Sequence, residues 1–354
     1  MLFALGSNGS GQLGLGHDED VSTPQGILPK TLDQDPSATI KRLAAGGNHT
    51  VVLYSSGRAF SSGDNIDGRC ATDGNGPPSE FREIASPGSL TAQPWEDVAA
   101  TWSATIFTRN QGKEVWVCGA GGSGELALGE GVLEARQLTQ VPNFPPEGTQ
   151  VSQLAACMAH VIAVLTNGQV WGWGKGRKGQ LGAVAQDAWT PRRIDGVTFQ
   201  VSRAVCGKDF TCLSGVNEKG DVAMLGPNGR DRFSIKAKAP SEVPGWKEIS
   251  SSWGSVYVLQ GTGQLIAWGR DDHGQLPPDG LPPIEDIAAG SEHCLALTAD
   301  GKVLAWGWGE HGNCGEHIDD KCDVKGKWNE LVVPGRVTGI FAGCATSFIS
   351  TVNT

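Results

Sequence analysis

The chain has 354 residues, 39% hydrophobic and 19% charged, a balance that suits a folded protein with a large core and excludes a disordered or fibrous one. Lys and Arg number 28 against 38 Asp and Glu, and the net charge of −10 opposes general nucleic-acid binding, because phosphate contacts need a basic surface. No run reaches the roughly 18 to 20 apolar residues of a membrane span. Met1 leads straight into L-F-A-L-G-S-N with no basic leader, and nine scattered cysteines contain no C-x-x-C, so reduced thiols and a cytoplasmic and nuclear home are expected.

From the N-terminus, L-F-A-L-G-S-N-G-S-G-Q-L-G (2–14) reads as an apolar strand ending at Gly6, a polar turn, and G-Q-L-G. The same unit recurs, in places degraded, after Ser62-Gly63, Cys118-Gly119, Trp173-Gly174, Leu225-Gly226, Trp268-Gly269 and Trp308-Gly309. Between these anchors runs a second pattern, A-x-G-x-x-H-x-x-x-L, as A-G-G-N-H-T-V-V-L (45–53), A-T-W-S-A-T-I-F (100–107), A-C-M-A-H-V-I-A-V (156–164), C-G-K-D-F-T-C-L (206–213), S-S-W-G-S-V-Y-V-L (251–259), A-G-S-E-H-C-L-A-L (289–297) and A-G-C-A-T-S-F-I (342–349). Seven copies of each, spaced by about 40 to 57 residues with short strands and Gly-rich turns, predict the blades of an all-β, seven-bladed propeller. The chain opens with one half of the unit and closes with the other. Leu2 to Gly6 is therefore expected to pair with the segment Ile340 to Ser350, closing a single domain over 1–354 without free edges, where a solenoid would want polar caps.

G-x-G-x-x-G appears three times, at Gly9, Gly11, Gly14, at Gly174, Gly176, Gly179 and at Gly307, Gly309, Gly312. No helix pattern follows any of them, so no pyrophosphate site is written there. The glycines are repeat punctuation that supplies tight turns, the Leu or Cys of G-Q-L-G and G-N-C-G is expected to tuck inward, and Trp173, Trp268, Trp306 and Trp308 are expected to fill layers between blades.

These residues resemble the regulator-of-chromosome-condensation (RCC) repeat family, whose signature G-x-x-H-x-x-x-L…G-x-V-x-x-W-G-x-N-x-x-G-Q-L-G is legible across essentially the whole chain and best in Ala289 to Gly315. The resemblance implies the seven-bladed fold and leaves function open, since members include a guanine-nucleotide exchange factor on chromatin, ubiquitin-ligase modules and adaptors. A-L-G-S-N-G-S-G-Q-L-G-L-G-H-D-E-D-V-S-T-P-Q, C-G-K-D-F, G-S-E-H, W-G-W-G-E-H-G-N-C-G and A-G-C-A-T-S are similar to a narrower branch, the small fungal propellers of the alpha-tubulin-suppressor, killer-toxin-insensitivity type. That likeness implies a heterodimer with a small CSL-type zinc-ribbon protein, serving Elongator-dependent modification of wobble uridine in tRNA and diphthamide synthesis on elongation factor 2. The alternative is nucleotide exchange on a Ran-like GTPase. Segments 64–95 and 226–247 depart from the family pattern.

The His of G-x-x-H recurs as His49, His160 and His293, with Ser103, Phe210, Ser255 and Thr346 read at the matching places. A position that accepts Phe and Thr points to structure, not to a shared catalytic base. His311, Cys314, His317 and Cys322 have zinc-like types and spacing, but Cys314 falls in the inward Leu slot, so no metal is expected. With no nucleophile elbow, H-E-x-x-H or P-loop, and H-D-E-D (17–20) read as a solvated turn, neither an enzyme nor a cofactor is expected. R-D-R-F-S-I-K-A-K (230–238) reads as a solvated loop, with an RNA contact as the alternative.

Candidate partner-binding residues lie between Gly and His, where equivalent turns form rings at one mouth of the channel. One ring is read as Gly47, Thr101, Met158, Lys208, Trp253, Ser291 and Cys344, the next as Asn48, Trp102, Ala159, Asp209, Gly254, Glu292 and Ala345. Trp102, Lys208, Asp209, Trp253 and Glu292 are side chains a turn does not need, as expected of an interface; equally, Trp102 and Trp253 could plug the channel. His273, Glu310 and His311, in the G-Q-L-G loops with His17, are the remaining candidates.

Overall fold

The computed structural model describes residues 1–73, 79–87 and 93–353, so the departure from the repeat at 64–95 lies partly outside the described residues. Apart from a 3-10 turn at Pro29–Thr31, every regular element in them is a β-strand. The strands form seven antiparallel sheets. Blade 1 comprises Ile40–Ala45, His49–Tyr54, Ala59–Gly63 and the short Arg82–Glu83; blades 2 (95–140), 3 (151–193) and 6 (284–331) also have four strands, while blades 4 (203–225) and 5 (246–269) have three. Blade 7 is composite, in the order Val21–Gly26, Leu2–Gly6, Thr346–Val352, Arg336–Ala342.

The first strand of each blade touches the first strand of the next, blade 7 meeting blade 1, so seven inner strands surround a central channel. The second strand of a blade has sheet neighbours on both edges and other blades against both faces. Accordingly His49–Tyr54, Ala104–Arg109, His160–Leu165 and His293–Thr298 are buried throughout, which is why they read as continuous apolar runs and not as alternating ones. The inward slot of the G-Q-L-G loop is filled in five blades, where Leu13, Cys70, Leu126, Leu181 and Cys314 are buried, while Leu276 of blade 5 is half-buried.

The ring closes by pairing Leu2 with Ser350 and so on to Gly6 with Thr346. Leu2, Phe3, Ala4 and Leu5 are buried on that strand, so closure is a hydrophobic contact as well as a ladder of hydrogen bonds.

The G-x-x-H pattern has a steric origin. A Cβ on Gly46 would stand 2.2 Å from Cε1 of His49, and one on Gly290 2.2 Å from Cε1 of His293, because each imidazole lies flat on the glycine. The ring then reaches the next blade: His49 Nε2 is 2.8 Å from Thr105 Oγ1, His160 Nε2 3.0 Å from Thr211 Oγ1, and His293 Nε2 3.0 Å from Ser347 Oγ. Each hydroxyl donates its single hydrogen to a loop carbonyl of the histidine's own blade, Arg69 at 2.7 Å, Gln180 at 2.9 Å or Asn313 at 2.8 Å. It must therefore accept from the imidazole, which fixes the tautomer protonated on Nε2. In blade 2 the residue opposite Gly119, and hence in the histidine's place, is Ala104 and not Ser103.

Tryptophans link blades in the same way, Trp173 Nε1 donating to Glu125 O at 2.9 Å and Trp306 Nε1 to Gln275 O at 3.0 Å. Trp268 is buried as well, whereas Trp308 is half-buried and stacks on His273 at the loop surface instead of filling a layer.

Two expectations follow from closure and from the buried imidazoles. Deleting residues 1–10 removes Leu2, Phe3 and Leu5, whose burial contributes about 1.5 to 3 kcal/mol each, and bares the edge of Thr346–Val352; the truncated chain should aggregate or melt far below the full one, and an unchanged melting curve would reject closure by this strand. Burial lowers the pKa of His49 and His160 to about 3 and of His293 to about 4, from 6.5 when exposed. The unfolded chain thus takes up protons first as pH falls below 6.5, and stability is lost from there down toward pH 3 to 4, by roughly 2 kcal/mol per histidine at pH 5. Urea midpoints at pH 7 and pH 5 measure this, and equal midpoints would place the imidazoles in solvent.

Candidate interaction face at the channel mouth

In six blades the residue directly after the glycine opposite the histidine position donates to the turn between the first and second strands: Asp64 N to Asn48 O (2.8 Å), Ala120 N to Ser103 O (2.8 Å), Lys175 N to Ala159 O (2.7 Å), Arg270 N to Gly254 O (2.9 Å), Trp308 N to Glu292 O (2.9 Å) and Ser7 N to Ala345 O (2.8 Å), so that in blade 6 the anchor is Gly307 and not the expected Gly309. The G-x-x-H turns and the G-Q-L-G loops, read from sequence as alternative places for a partner, therefore lie on one face, turns at the channel mouth and loops around them.

Backbone bonds between blades stitch the mouth: Gly47 N to Trp102 O (2.9 Å), Trp102 N to Met158 O (2.7 Å), Lys208 N to Trp253 O (2.9 Å) and Trp253 N to Ser291 O (2.9 Å). These bonds correct the expected rings. Trp102 shares the level of Gly47 and Trp253, and Thr101 takes the glycine's place, its Oγ1 accepting from Ala104 N at 3.0 Å. A-T-W-S-A has neither glycine nor histidine to fix its place, and its true register is one residue from the expected one.

Placed on one level, Trp102 and Trp253 reach toward each other across the mouth, with ring centroids 6.1 Å apart and an interplanar angle of 44°. The Trp102 indole lies on Gly47, where a Cβ would come within 2.4 Å of the ring, and Lys208 Nζ sits 5.6 Å from the Trp253 centroid. Trp102 is still 39% exposed, so the pair both caps the channel and offers an aromatic surface.

Beneath the cap is a cavity of about 260 Å³ lined by the inner strands. Its polar side chains join one blade to the next. Arg42 pairs with Asp97 at 2.6 Å and donates to Leu154 O, Asp97 accepts from Leu154 N at 2.8 Å, Gln153 bonds Ala204 N and O at 2.8 Å each, and Arg203 pairs with Glu248.

The match to known proteins agrees with this geometry: the model of the RCC1-like domain fits residues 1–349. The chain belongs to the RCC1-like repeat family. An RCC1 repeat-containing protein of Schizosaccharomyces pombe is 32% identical to it over 99% of this chain and 98% of that protein. The secretion-regulating guanine nucleotide exchange factor of Mus musculus is 29% identical over 93% of this chain and 74% of its own length. Among solved structures, Prp20p of Saccharomyces cerevisiae superposes with a TM-score of 0.83 at 20% identity, covering 100% of this chain and 91% of that one, a likeness of fold.

Within this RCC1-like propeller the expected partner residues separate into three groups. Trp102, Trp253 and the exposed Lys208 meet at the mouth, with Asp209 half-buried beside them. His273, Glu310 and His311 lie in the surrounding loops; His273 Nδ1 is 2.8 Å from Asp323 and its ring stacks on Trp308 at 5.2 Å, His311 Nδ1 is 2.8 Å from Asp20 across the seam of blades 6 and 7, and Glu310 is exposed. Glu292 corrects the reading of it as a surface anchor. It is 2% exposed, pairs with Arg270 and accepts from Gln275 Nε2 at 2.8 Å; burial pushes its carboxyl above the usual range.

Of the zinc-like set, Cys314 is buried with its Sγ toward Trp308 O and His311 is committed to Asp20; among the described residues no three His, Cys, Asp or Glu side chains are placed to hold an ion. Sequence reasoning missed Arg270, which joins Glu292, Asp272 and the ring of Phe233. Its one signal is position, directly after the Trp268-Gly269 anchor.

Glu292→Lys would set a lysine against Arg270 inside the protein and should cost on the order of 3 to 5 kcal/mol. Trp102→Ala, at a partly exposed site, should cost about 1 kcal/mol. Urea denaturation of the two variants compares them, and equal losses would put Glu292 at the surface.

Proposed function

We propose that this RCC1-like propeller is a non-catalytic interaction subunit that docks a small protein on the mouth face. The observation that carries the reading is Trp102, an exposed indole at the centre of that face, backed by Trp253 and Gly47 and flanked by Lys208. A rigid aromatic anchor within a charged rim is the usual make-up of a binding hot spot. The use of His49, His160 and His293 as bonds between blades supports a role without catalysis.

The partner proposed is the CSL-type zinc-ribbon protein, in a heterodimer that works in cytoplasm and nucleus on Elongator-dependent wobble-uridine modification and on diphthamide synthesis. Support for this partner is the likeness of the first loop, C-G-K-D-F, G-S-E-H and W-G-W-G-E-H-G-N-C-G to the small fungal propellers, with the mouth and loop residues they contribute now on one face. A second reading, nucleotide exchange on a Ran-like GTPase, is favoured by the identity shared with the mouse exchange factor.

Titration calorimetry with the purified zinc-ribbon protein tests the first reading. Binding should weaken by about 2 kcal/mol in Trp102→Ala, the usual cost of truncating an aromatic hot spot. Unchanged binding by the folded variant would remove the mouth from the interface. No binding by the parent chain, together with faster release of labelled GDP from the GTPase, would replace the first reading with the second.

A further inference from the structure

The net charge of −10 conceals a strong local opposite on the mouth face. The loop after Gly174 carries Lys175, Arg177 and Lys178, the turn of blade 4 adds Lys208, and the long loop after Leu225 carries Arg230, Arg232, Lys236 and Lys238. These three segments touch. Asn228 N donates to Lys178 O at 2.5 Å, Gly179 packs on the Asn228 side chain, and Gly226 lies against the carbonyls of Asp209 and Lys178. Lys208 extends the band over Trp253, and the half-buried Phe233 carries it to blade 5, with the guanidiniums of Arg232 and Arg270 each 5.1 Å from its ring centroid.

Eight cations in these segments outnumber three carboxylates, Asp187, Asp209 and Asp231. Asp187 is taken by Arg177 at 2.9 Å and by Gly176 N, and Asp231 accepts three backbone N–H groups, from Ile235, Lys236 and Ala237. Among the described residues Arg177 is the one cation of these three segments in an ion pair, while Arg270 beside Phe233 is held by Asp272 and Glu292; Lys208 and all four cations of the long loop are exposed. Exposed acids of this face include Asp271 and Asp272 in the loop of blade 5 and, on the other arc, Glu310, Asp319 and Asp320 beside Asp18, Glu19 and Asp20 in the loops of blades 6 and 7.

We propose that this band binds single-stranded nucleic acid, its phosphates along the cations and its bases on the rings of Phe233, Trp253 and Trp102. Cations that, Arg177 apart, have no carboxylate partner, interleaved with aromatic rings at the same surface, match a polymer carrying a negative backbone and flat bases together. An acidic peptide would satisfy the cations and leave the rings without a partner. The proposal does not depend on the zinc-ribbon reading, and its test uses this chain alone.

Fluorescence anisotropy with labelled twelve-residue oligouridylate and oligodeoxythymidylate measures binding, and capture of either strand supports the site while showing which sugar it prefers. Log affinity should fall linearly with log salt, with a slope near −3 if about four phosphates are engaged. Lys236→Glu with Lys238→Glu should weaken binding at least tenfold, as should Lys208→Glu in a separate loop. Phe233→Leu, which keeps an apolar side chain and removes the ring, should weaken it about tenfold. Failure to bind either strand, or binding that survives both charge reversals, overturns the site. Displacement by polyglutamate of equal charge at equal concentration, with Phe233→Leu unaffected, overturns it in favour of an acidic protein segment.

Discussion

Everything at the mouth rests on how each blade holds the tight turn between its first and second strands. In blades 1 and 6 an imidazole lies on the turn's first residue, which must be glycine, and its Nε2 reaches a hydroxyl of the next blade. The first position can then carry no side chain, and chemistry is confined to the two that follow. Blades 2 and 5 use another device: Thr101 and Ser252 accept the N–H groups of Ala104 and Ser255 at 3.0 Å. These same two blades place a tryptophan next. A hydroxyl capping its own turn leaves no imidazole to accommodate, and in both cases the following indole lies across the opening.

The architecture was legible because it depends on features that repeat. Glycine at a fixed offset from a buried histidine, leucine in one inward slot and half a unit at each end together specify seven blades and their closure. What failed to transfer was particular to one blade. The level of Trp102 is not legible because its turn has Thr101 and Ala104 where others have glycine and histidine. Glu292 looked like a surface charge because its partner, Arg270, follows the third strand of the preceding blade, 22 residues away. No periodicity announces such a pair; only the packing of a turn against a neighbouring loop creates it.

Charge shows the same limit of averaging. A single net value sums over the whole surface, whereas charges further apart than a Debye length of roughly 8 Å at physiological salt are largely screened from one another. A bound partner feels what lies within that distance. Here the loops of blades 3 and 4 present Lys178, Arg230, Lys236 and Lys238, while those of blades 6 and 7 present Asp18, Glu19, Asp319 and Asp320. The mouth face therefore has a lateral dipole, and an approaching molecule with its own charge asymmetry would be turned to one azimuth before it touched Trp102.

Pairing Leu2–Gly6 with Thr346–Val352 also decides where the chain can be held. Gly6 and Thr346 stand at the mouth, so Met1 and Val352 emerge side by side at the far rim, a full strand length below. A tether, label or fused domain joined at either end hangs from that rim and leaves the mouth open. Surface-immobilised molecules would all stand with the same side up, and two propellers joined end to end by a short linker would face away from each other.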